Sequence, residues 1–336
     1  MSATAVQTVD DVLDQLTGFW RSAILRAAFD LNIPDHIANG RCQPASIAAA
    51  EHADPRGIGV LLESLAALGM LSRTAQGYRL APVVEMMLPA FGSSTASVLN
   101  QHTWDIWGRL SEAVRSGTPV GESPEYWIDF ARGTREISLT QGMGAIPLVA
   151  LPPGTGARVL DVGCGSGGVG FAFALADPTV TTTGFDSADV LAVAAEYADR
   201  LGIASRVSLW PADIVAAETF GDAEFDVVVA ANLLHLFDPA TNRVLLRKIA
   251  AALVPGGRLF VNDIVPDEQR SDAFAVMFAA EMLLRTPGGS SYTAAEISEW
   301  LAEAGFEQIA AHPMMGHMTA IIGTRRKEAR DMRYLH

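Results

Sequence analysis

Short apolar runs, rich in β-branched residues, alternate with helix-like segments through the second half of the chain. Each run ends at a polar or glycine-bearing loop, as buried strands do. Strands that alternate with helices predict a mainly parallel sheet with helices on both faces. The predicted strands cover residues 158–161, 181–185, 207–210, 225–230, 258–263, 306–312 and 318–323, and the predicted helices include 188–201, 239–253, 274–284 and 293–304.

The N-terminal part follows a different pattern, with helical spacing and only one strand-like stretch. Apolar residues recur at intervals of three and four from Asp10 to Phe29, which predicts one amphipathic helix. Residues 44–51 and 55–71 predict two further helices, and Ser72–Leu80 predicts a small hairpin. Helices followed by a hairpin are the order of elements in a winged helix.

An interrupted helical segment joins these two parts. The pattern from Pro82 to Leu148 is helical, with predicted breaks at 117–121 and around Gly133. Leu151–Gly156, which contains two prolines and two glycines, is the clearest linker in the chain.

Composition and charge limit the kinds of partner. The 336 residues are 49% hydrophobic and 18% charged, which is enough for two domains with ordinary cores. A net charge of −14 and a pI near 4.9 disfavour nucleic acid and anionic membranes as partners. The N-terminus lacks the pattern of a signal peptide, and no apolar stretch is long enough to span a bilayer. Because Cys42 and Cys164 provide no disulfide framework, we expect a soluble protein of the cytoplasm.

A winged helix also suggests a DNA-binding regulator, with the second domain as a sensor. The helix that would enter the groove, residues 55–71, has one basic residue, Arg56, at its start. Groove readers need Arg, Lys, Asn or Gln along the exposed face. The pattern therefore disfavours DNA binding and leaves it as an alternative.

Residues 158–170, with the sequence R-V-L-D-V-G-C-G-S-G-G-V-G, carry the strongest functional signal. An apolar run ends in Asp161, and four glycines follow before a second apolar run. Glycines let the backbone approach a ligand without a Cβ in the way, so we expect this loop to lie under a bound ligand. The spacing is tighter than the G-x-G-x-x-G of nicotinamide and flavin sites, and no Lys-Ser or Lys-Thr follows as in a phosphate-binding loop. A strand-to-helix turn that binds nothing is the alternative.

Three further strand ends carry polar residues. Asp186 ends the second predicted strand, about twenty residues after the glycines, where a carboxylate can accept hydrogen bonds from both hydroxyls of a ribose. The third strand leads into Pro211-Ala212-Asp213-Ile214, and the fourth leads into Ala231-Asn232-Leu233-Leu234-His235. These loops are expected at one edge of the sheet.

The order of these segments resembles the successive motifs of class I S-adenosylmethionine-dependent methyltransferases. The segments are D-V-G-C-G-S-G-G, F-D, P-A-D-I, F-D-V-V-V-A-A-N-L-L-H and L-V-P-G-G-R-L-F-V-N-D. The layout is similar to that of the small-molecule O-methyltransferases with an N-terminal dimerisation domain. The resemblance implies an α/β, Rossmann-like catalytic domain with a mainly parallel seven-stranded sheet and an antiparallel last strand. It also implies a mostly α winged-helix dimerisation domain at 1–95, a helical linker and acceptor-pocket region at 96–150 and the catalytic domain at 151–336.

The resemblance implies S-adenosyl-L-methionine as the cofactor, a sulfonium whose pocket needs carboxylates and backbone groups. It assigns the methionine end to Asp161, Gly163 and Gly165. It assigns the ribose to Asp186 and Ser187, the adenine to Asp213 and Ile214, and the passage between donor and acceptor to Asn232. For Asp213, a helix cap is the alternative.

The resemblance also implies that His235 is a general base and that Asp263 orients it. His235 follows the fourth predicted strand and Asp263 ends the fifth, so the two are expected within hydrogen-bonding reach. The sequence departs from the family pattern at Leu236 and Ser291, where many members have acidic residues. These departures leave C- or N-methylation, transfer by proximity and loss of transfer activity as alternatives.

The expected acceptor is a hydroxyl of a small aromatic or polyketide-like metabolite, and the expected partner is a second copy of the chain. A metal site formed by His235, Asp263, His312 and His317 is conceivable, but no compact ligand spacing supports it, and no metal is expected. The residues expected to contact the acceptor are Trp104, Trp107, Met143, Met282 and Phe19, the last from the partner subunit.

Overall fold

The computed structural model describes residues 6–92, 101–121 and 123–327, without the side chains of residues 90 and 91. The chain divides between Asp105 and Ile106 into two compact units. Within the described residues, no helix is both long and apolar enough to cross a bilayer.

The N-terminal unit consists of short helices and one hairpin. The hairpin is the predicted one, since β1 (Leu71–Thr74) pairs antiparallel with β2 (Gly77–Leu80). Buried aliphatic side chains such as Ile33, Ile47 and Leu62 form its core. The helices are α1 (Val9–Leu16), α2 (Phe19–Asp30), α3 (Ile33–Ala38), α4 (Pro44–Ala50), α5 (Pro55–Ala67) and α6 (Pro82–Phe91), and helical residues 101–107 (α7) span the division.

The single helix predicted over Asp10–Phe29 is wrong, because the chain forms two helices there. The Thr17 hydroxyl donates to the carbonyl of Leu13 at 2.8 Å, and Gly18 follows. A back-bonded threonine next to a glycine weakens helix continuation, so α1 ends and α2 begins at this point. Large apolar side chains on both helices are exposed, including Leu16 at 67% and Phe19 at 61%.

The second unit contains the predicted seven-stranded sheet, in the order β5-β4-β3-β6-β7-β9-β8. Strands β3 to β7 pair in parallel, and β9 runs antiparallel to β7 and β8, so the antiparallel last strand is confirmed. The strands are β3 (Arg158–Val162), β4 (Thr181–Asp186), β5 (Val207–Pro211), β6 (Phe225–Ala231), β7 (Leu253–Ile264), β8 (Phe306–Pro313) and β9 (Met318–Arg325).

Helices cover both faces of this sheet. One core packs around Leu160, Val228 and Trp300, and the other packs around Val159, Phe173 and Ala145 on the opposite face. The helices are α8 (Leu110–Ser116), α9 (Pro124–Val149), α10 (Gly168–Ala176), α11 (Ala188–Arg200), α12 (Pro239–Ala252), α13 (Ala273–Arg285) and α14 (Ala294–Glu303).

The break predicted around Gly133 is wrong, because this residue lies inside α9, which is a continuous helix of 26 residues. A glycine inside a helix costs only about 1 kcal/mol. Gly133 and five other residues of α9 are buried, and their packing offsets this cost.

Two glycines let α9 and α10 touch. A Cβ on Gly142 would lie 2.5 Å from the carbonyl oxygen of Val169 and 2.6 Å from the Cβ of Ala172. A Cβ on Gly168 would lie 2.7 Å from the backbone nitrogen of Leu139. Such separations are too short for real Cβ atoms, so the contact between the helices requires glycine at both positions.

The strand order places a crevice at one edge of the sheet. From the central strand β3 the chain proceeds to β4 and β5 on one side and later to β6 and β7 on the other. In open α/β sheets, ligands bind outside the carboxyl ends of the strands at such a switch point. The glycine-bearing loop after β3 and the polar residues after β4, β5 and β6 meet there.

Candidate active site

A cavity of about 970 Å³ opens at the carboxyl ends of β3 to β6. Five of its lining residues are aspartates, and among the described residues Arg285 is the only basic one that lines it. This excess of negative charge suits a cationic ligand. The lining aspartates are Asp161, Asp186, Asp189, Asp213 and Asp238.

The glycine loop, residues 163–168, brings backbone to the cavity wall. Gly163 and Gly165 have φ values of +70° and +55°, which favour glycine. The N–H of Gly163 donates to the carbonyl of Phe185 at 2.8 Å and so fixes the loop to β4. At Gly165 no atom lies within 4 Å of the place where a Cβ would be. The backbone there is open to close approach by a ligand, as the sequence predicts.

Asp161 lies beneath this loop and is 2% exposed. Its Oδ2 accepts the N–H of Gly170 at 2.9 Å and so holds the first turn of α10. Burial raises the pKa of Asp161 to about 7; the Gly170 N–H opposes the rise and the nearby Asp186 charge adds to it. A cation in the cavity would favour the ionised form.

Asp186 connects β4 to the glycine loop. Its Oδ2 accepts the N–H of Gly165 at 2.9 Å, and its Oδ1 accepts the N–H of Ser187 at 2.7 Å. Burial raises the pKa of Asp186, although these two N–H groups act against the rise. The carboxylate is thus held rigidly at the end of a strand, where its remaining lone pairs can accept hydroxyl groups.

Asp213 and Ile214 form the wall beyond β5. Asp213 Oδ1 accepts the N–H groups of Val215 and Ala216 at 2.7 and 2.9 Å, which closes a turn over residues 214–216 rather than the helix considered as the alternative. The side chain of Ile214 lies opposite Gly163, where its Cδ1 would be 3.3 Å from an added Cβ. Ile214 therefore presents an apolar surface across from the glycine loop.

Asn232 has a φ of +53°, a left-handed conformation that asparagine tolerates better than most residues. Its N–H donates to the carbonyl of Asn262 at 2.8 Å, and its side-chain nitrogen lies 3.5 Å from Oε1 of Gln141. The residue thus links the end of β6 to β7 and α9.

His235 and Asp263 form a buried pair at the ends of β6 and β7. His235 Nδ1 lies 2.5 Å from Asp263 Oδ1, and the His235 N–H donates to Asp263 Oδ2 at 3.2 Å. The predicted pairing is present. Because a carboxylate only accepts hydrogen bonds, this pairing favours the tautomer with the proton on Nδ1, which leaves the lone pair of Nε2 available. Phe278 packs edge-on against the imidazole, with ring centroids 4.9 Å apart.

Neither position where the sequence departs from the family pattern supplies a second carboxylate. Leu236 lines the cavity, and the Ser291 hydroxyl is buried with no partner among the described residues. The imidazole is therefore oriented by one carboxylate.

The structure brings together the eight residues predicted for the donor. The other predicted residues of this unit do not line the cavity: Met282 is buried, Met143 is 46% exposed, and Trp107 donates its indole N–H to Glu281. Trp104 and Phe19 belong to the N-terminal unit, where the Trp104 ring lies 5.2 Å from the Arg26 guanidinium carbon. The eight predicted donor residues, all of which line the cavity, are Asp161, Gly163, Gly165, Asp186, Ser187, Asp213, Ile214 and Asn232.

Several lining residues lie outside the set predicted as site residues. Ser166 is 2% exposed, and its hydroxyl has no partner among the described residues. Arg285 donates to Glu281, and its guanidinium carbon lies 3.7 Å from the centre of the Tyr126 ring. One wall comes from α9, through Trp127, Ile128, Phe130, Ala131, Thr134 and Ser138.

The described residues contain no group of three or more His, Cys, Asp or Glu side chains that could hold a metal ion. His317 pairs with Asp272 at 3.3 Å and stacks on Phe274, whereas His235 pairs with Asp263. The metal alternative therefore has no cluster to support it in the described part of the chain.

These features fit an adenosine-bearing sulfonium. The cavity offers carboxylates at three strand ends, an open glycine backbone at Gly165, an apolar wall at Ile214 and the partnerless Ser166 hydroxyl. Together with the seven-stranded sheet and its antiparallel strand, they define a class I S-adenosylmethionine-dependent methyltransferase domain.

Comparison with known proteins identifies the family. Residues 159–257 match the model of a methyltransferase domain, and residues 13–90 match that of the O-methyltransferase dimerisation domain. A 3-hydroxy-5-methyl-1-naphthoate 3-O-methyltransferase of Streptomyces sahachiroi is 29% identical, over 88% of this chain and 89% of the relative. A tetracenomycin polyketide synthesis 8-O-methyl transferase of Streptomyces glaucescens is 27% identical, over 96% and 98%.

A solved structure from Nostoc punctiforme, assigned as an O-methyltransferase, is 28% identical. It superposes with a TM-score of 0.85 over 96% of this chain and all of that one. The chain belongs to the family of S-adenosylmethionine-dependent small-molecule O-methyltransferases that carry an N-terminal dimerisation domain.

Proposed function

We propose that the protein methylates a hydroxyl of a small aromatic or polyketide-like acceptor, with His235 as general base and Asp263 as the residue that orients it. The pairing of His235 Nδ1 with Asp263 Oδ1 at 2.5 Å carries this proposal. The names of the two Streptomyces relatives specify O-methylation of a hydroxynaphthoate and of a tetracenomycin-type polyketide. An acceptor of similar chemistry is the simplest substrate class for this chain.

His235 would remove the proton of the acceptor hydroxyl through Nε2. Asp263 would accept a hydrogen bond from Nδ1–H, favour the tautomer with a free lone pair at Nε2 and stabilise the imidazolium that forms. Asp263 is itself fixed, because Oδ1 also accepts the N–H of Ile264 at 2.7 Å. The base is therefore oriented before the acceptor arrives.

The donor site would be formed by the eight predicted residues that line the cavity. When bound, S-adenosyl-L-methionine supplies an electrophilic methyl group on a sulfonium. Asp186 would accept the ribose hydroxyls, and Asp213 with Ile214 would contact the adenine. Asp161 and the glycine loop would surround the methionine end, where Ser166 adds a hydroxyl that the sequence did not suggest.

The acceptor contacts and the dimer are also proposals. The apolar surface exposed on α1 and α2 supports association with a second copy through the dimerisation domain, and Phe19 is part of this surface. Trp104, Trp107, Met143 and Met282 remain the proposed acceptor contacts from the resemblance, although none of them lines the cavity. The same proposal includes the division of the chain into a dimerisation domain at 1–95, a linker and acceptor-pocket region at 96–150 and a catalytic domain at 151–336.

A second candidate is N- or C-methylation, or transfer to an oxygen that is already ionised. One observation favours it: His235 does not line the cavity and is only 6% exposed. Transfer without a base would rely on positioning alone.

Donor binding is tested by isothermal titration of the purified protein with S-adenosylhomocysteine, in parallel with Asp186→Ala. We expect micromolar binding by the wild type and at least about tenfold weaker binding by the variant, which is about 1.4 kcal/mol. Absence of binding by the wild type would refute the proposal.

The base is tested with a panel of hydroxylated aromatic and polyketide-like acceptors, scored by mass spectrometry for methyl transfer. His235→Ala is expected to lower the rate about 10²- to 10⁴-fold, the usual contribution of a general base. The loss should shrink as the pH approaches the pKa of the acceptor hydroxyl. His312→Ala, at a half-buried position on β8, is the matched control. A rate unaffected by His235→Ala would favour the second candidate.

A further inference from the structure

The donor wall formed by Asp213 and Ile214 lies on a segment with little structure of its own. The connection from β5 to β6, residues 212–224, contains no helix or strand, and most of its residues are exposed. Asp213 closes a turn within this segment, through the N–H groups of Val215 and Ala216. That turn fixes the local shape, and backbone hydrogen bonds tie the two ends of the segment to their neighbours, from Ala212 to the carbonyl of Asp186 and from Ala223 to the carbonyl of Ala251.

One basic side chain supplies an anchor in the middle of the segment. Lys248, on α12, donates from Nζ to the carbonyl of Val215 at 3.0 Å and to the carbonyl of Ala217 at 2.5 Å. Hydrogen bonds from a charged donor are about twice as strong as neutral ones. The Val215 carbonyl lies within the turn that Asp213 closes and the Ala217 carbonyl directly follows it, so the ammonium holds the turn and its exit together.

The same ammonium contacts the core beneath the donor site. It lies 5.8 Å from the centre of the Phe220 ring, and Phe220 is fully buried. Phe220 in turn packs edge-on against Phe185, with ring centroids 5.0 Å apart. Phe185 directly precedes Asp186 and accepts the N–H of Gly163. Through Phe220 and Phe185, Lys248 is therefore connected by side-chain packing to the other two parts of the donor site, Asp186 and the glycine loop.

We infer that Lys248 is a positioning residue for donor binding, which acts by holding the 212–220 backbone so that Asp213 and Ile214 form the cavity wall. It does not line the cavity itself. The inference rests on the proposed donor site and adds a residue that neither the motifs nor the cavity lining identifies.

The test compares binding of S-adenosylhomocysteine to the wild type and to Lys248→Met, by isothermal titration. Methionine keeps an unbranched chain over Phe220 and removes the ammonium. We expect the Kd to rise about tenfold, because two charge-assisted hydrogen bonds that order the wall are lost. Lys248→Arg, which keeps the charge and the donors, should restore most of the affinity, and Lys248→Gln should not.

Arg247→Met is the matched control, since it removes a neighbouring exposed charge from the same helix. Its Kd should stay within about twofold of the wild type. Amide hydrogen exchange of the ligand-free proteins gives an independent measurement. Exchange in residues 212–220 should be faster in Lys248→Met than in the wild type, with α12 otherwise unchanged.

A Kd for Lys248→Met within twofold of the wild type overturns the inference, as does equal weakening by Arg247→Met. Exchange that rises throughout the second unit also overturns it, because Lys248 would then stabilise the fold as a whole. Absence of binding by the wild type is a different result, since it refutes the donor site on which the inference rests.

Discussion

Asp161→Asn is expected to make the ligand-free protein more stable at neutral and alkaline pH. Burial raises the pKa of Asp161 to about 7 from its ordinary value of 3.8, with the Gly170 N–H opposing the rise and the Asp186 charge assisting it. Between about pH 4 and pH 7 the folded state keeps a proton that the unfolded state has lost. Asp161 therefore lowers the free energy of unfolding as the pH rises through this window, and the loss is complete above pH 7.

The size of the effect follows from the pKa difference. About 3 pKa units correspond to roughly 4 kcal/mol, of which about 2 to 3 kcal/mol falls between pH 5 and pH 8. Asparagine keeps an oxygen that can accept the Gly170 N–H, so the cap on α10 is retained. The variant should be more stable than the wild type at pH 8 by several kcal/mol, and by much less at pH 5.

Urea denaturation at pH 5, 6, 7 and 8, at fixed ionic strength and protein concentration, measures this difference. Asp177→Asn is the control, because backbone N–H groups, that of Gly154 first, hold the pKa of the half-buried Asp177 below its ordinary value. It should be less stable than the wild type by an amount that stays nearly constant from pH 5 to pH 8, because a carboxyl whose pKa is lowered is ionised in both states over this range. A stability difference for Asp161→Asn that does not change between pH 5 and pH 8 would show that the buried carboxyl is ionised throughout.

Three further changes have expected outcomes. Gly142→Val should lower the free energy of unfolding by about 3 kcal/mol and reduce the thermal midpoint, because the new side chain meets the Val169 carbonyl; an unchanged midpoint would contradict the close contact of α9 with α10. Gly59→Ala, where a Cβ meets no atom within 4 Å in α5, should raise stability by about 0.5 to 1 kcal/mol in urea denaturation. Asn232→Val should cost about 1 to 2 kcal/mol because a β-branched residue disfavours a positive φ, whereas Asn232→Gly should be nearly neutral.

Strand positions followed from the sequence because each buried run is bounded by loop-forming residues. β3 to β6 end within one residue of their predicted ends. β7 differs: it begins at Leu253 rather than Arg258, since the turn-like Pro255-Gly256-Gly257 is absorbed where the pairing with β6 shifts register. A register shift depends on the neighbouring strand, so local sequence could not predict it.

Helix boundaries near glycines were harder to predict. Gly18 lies at a helix break and Gly133 lies inside a helix, although both interrupt helical patterns. The difference is burial: Gly133 lies in a helix packed against the sheet domain, whereas α1 has no buried residue. α3 was not predicted because its six residues are too few for a periodic signal.

For the site, motifs located the residues at strand ends, because their position is fixed by the sheet. Arg285 and Lys248 could not be found in this way. Arg285 comes from the end of α13 and Lys248 from the middle of α12, so their contacts depend on how distant helices pack. Residues of this kind become visible only in three dimensions.

The contact between α9 and α10 limits how the two walls of the cavity can change. Gly142 and Gly168 bring α9 against the helix that begins at the glycine loop, and α9 also supplies the wall that includes Trp127 and Ser138. A shift of α9 to make room for a larger acceptor would displace the loop under the donor. Evolution or engineering toward new acceptors is therefore expected to exchange side chains along α9 while leaving its backbone in register.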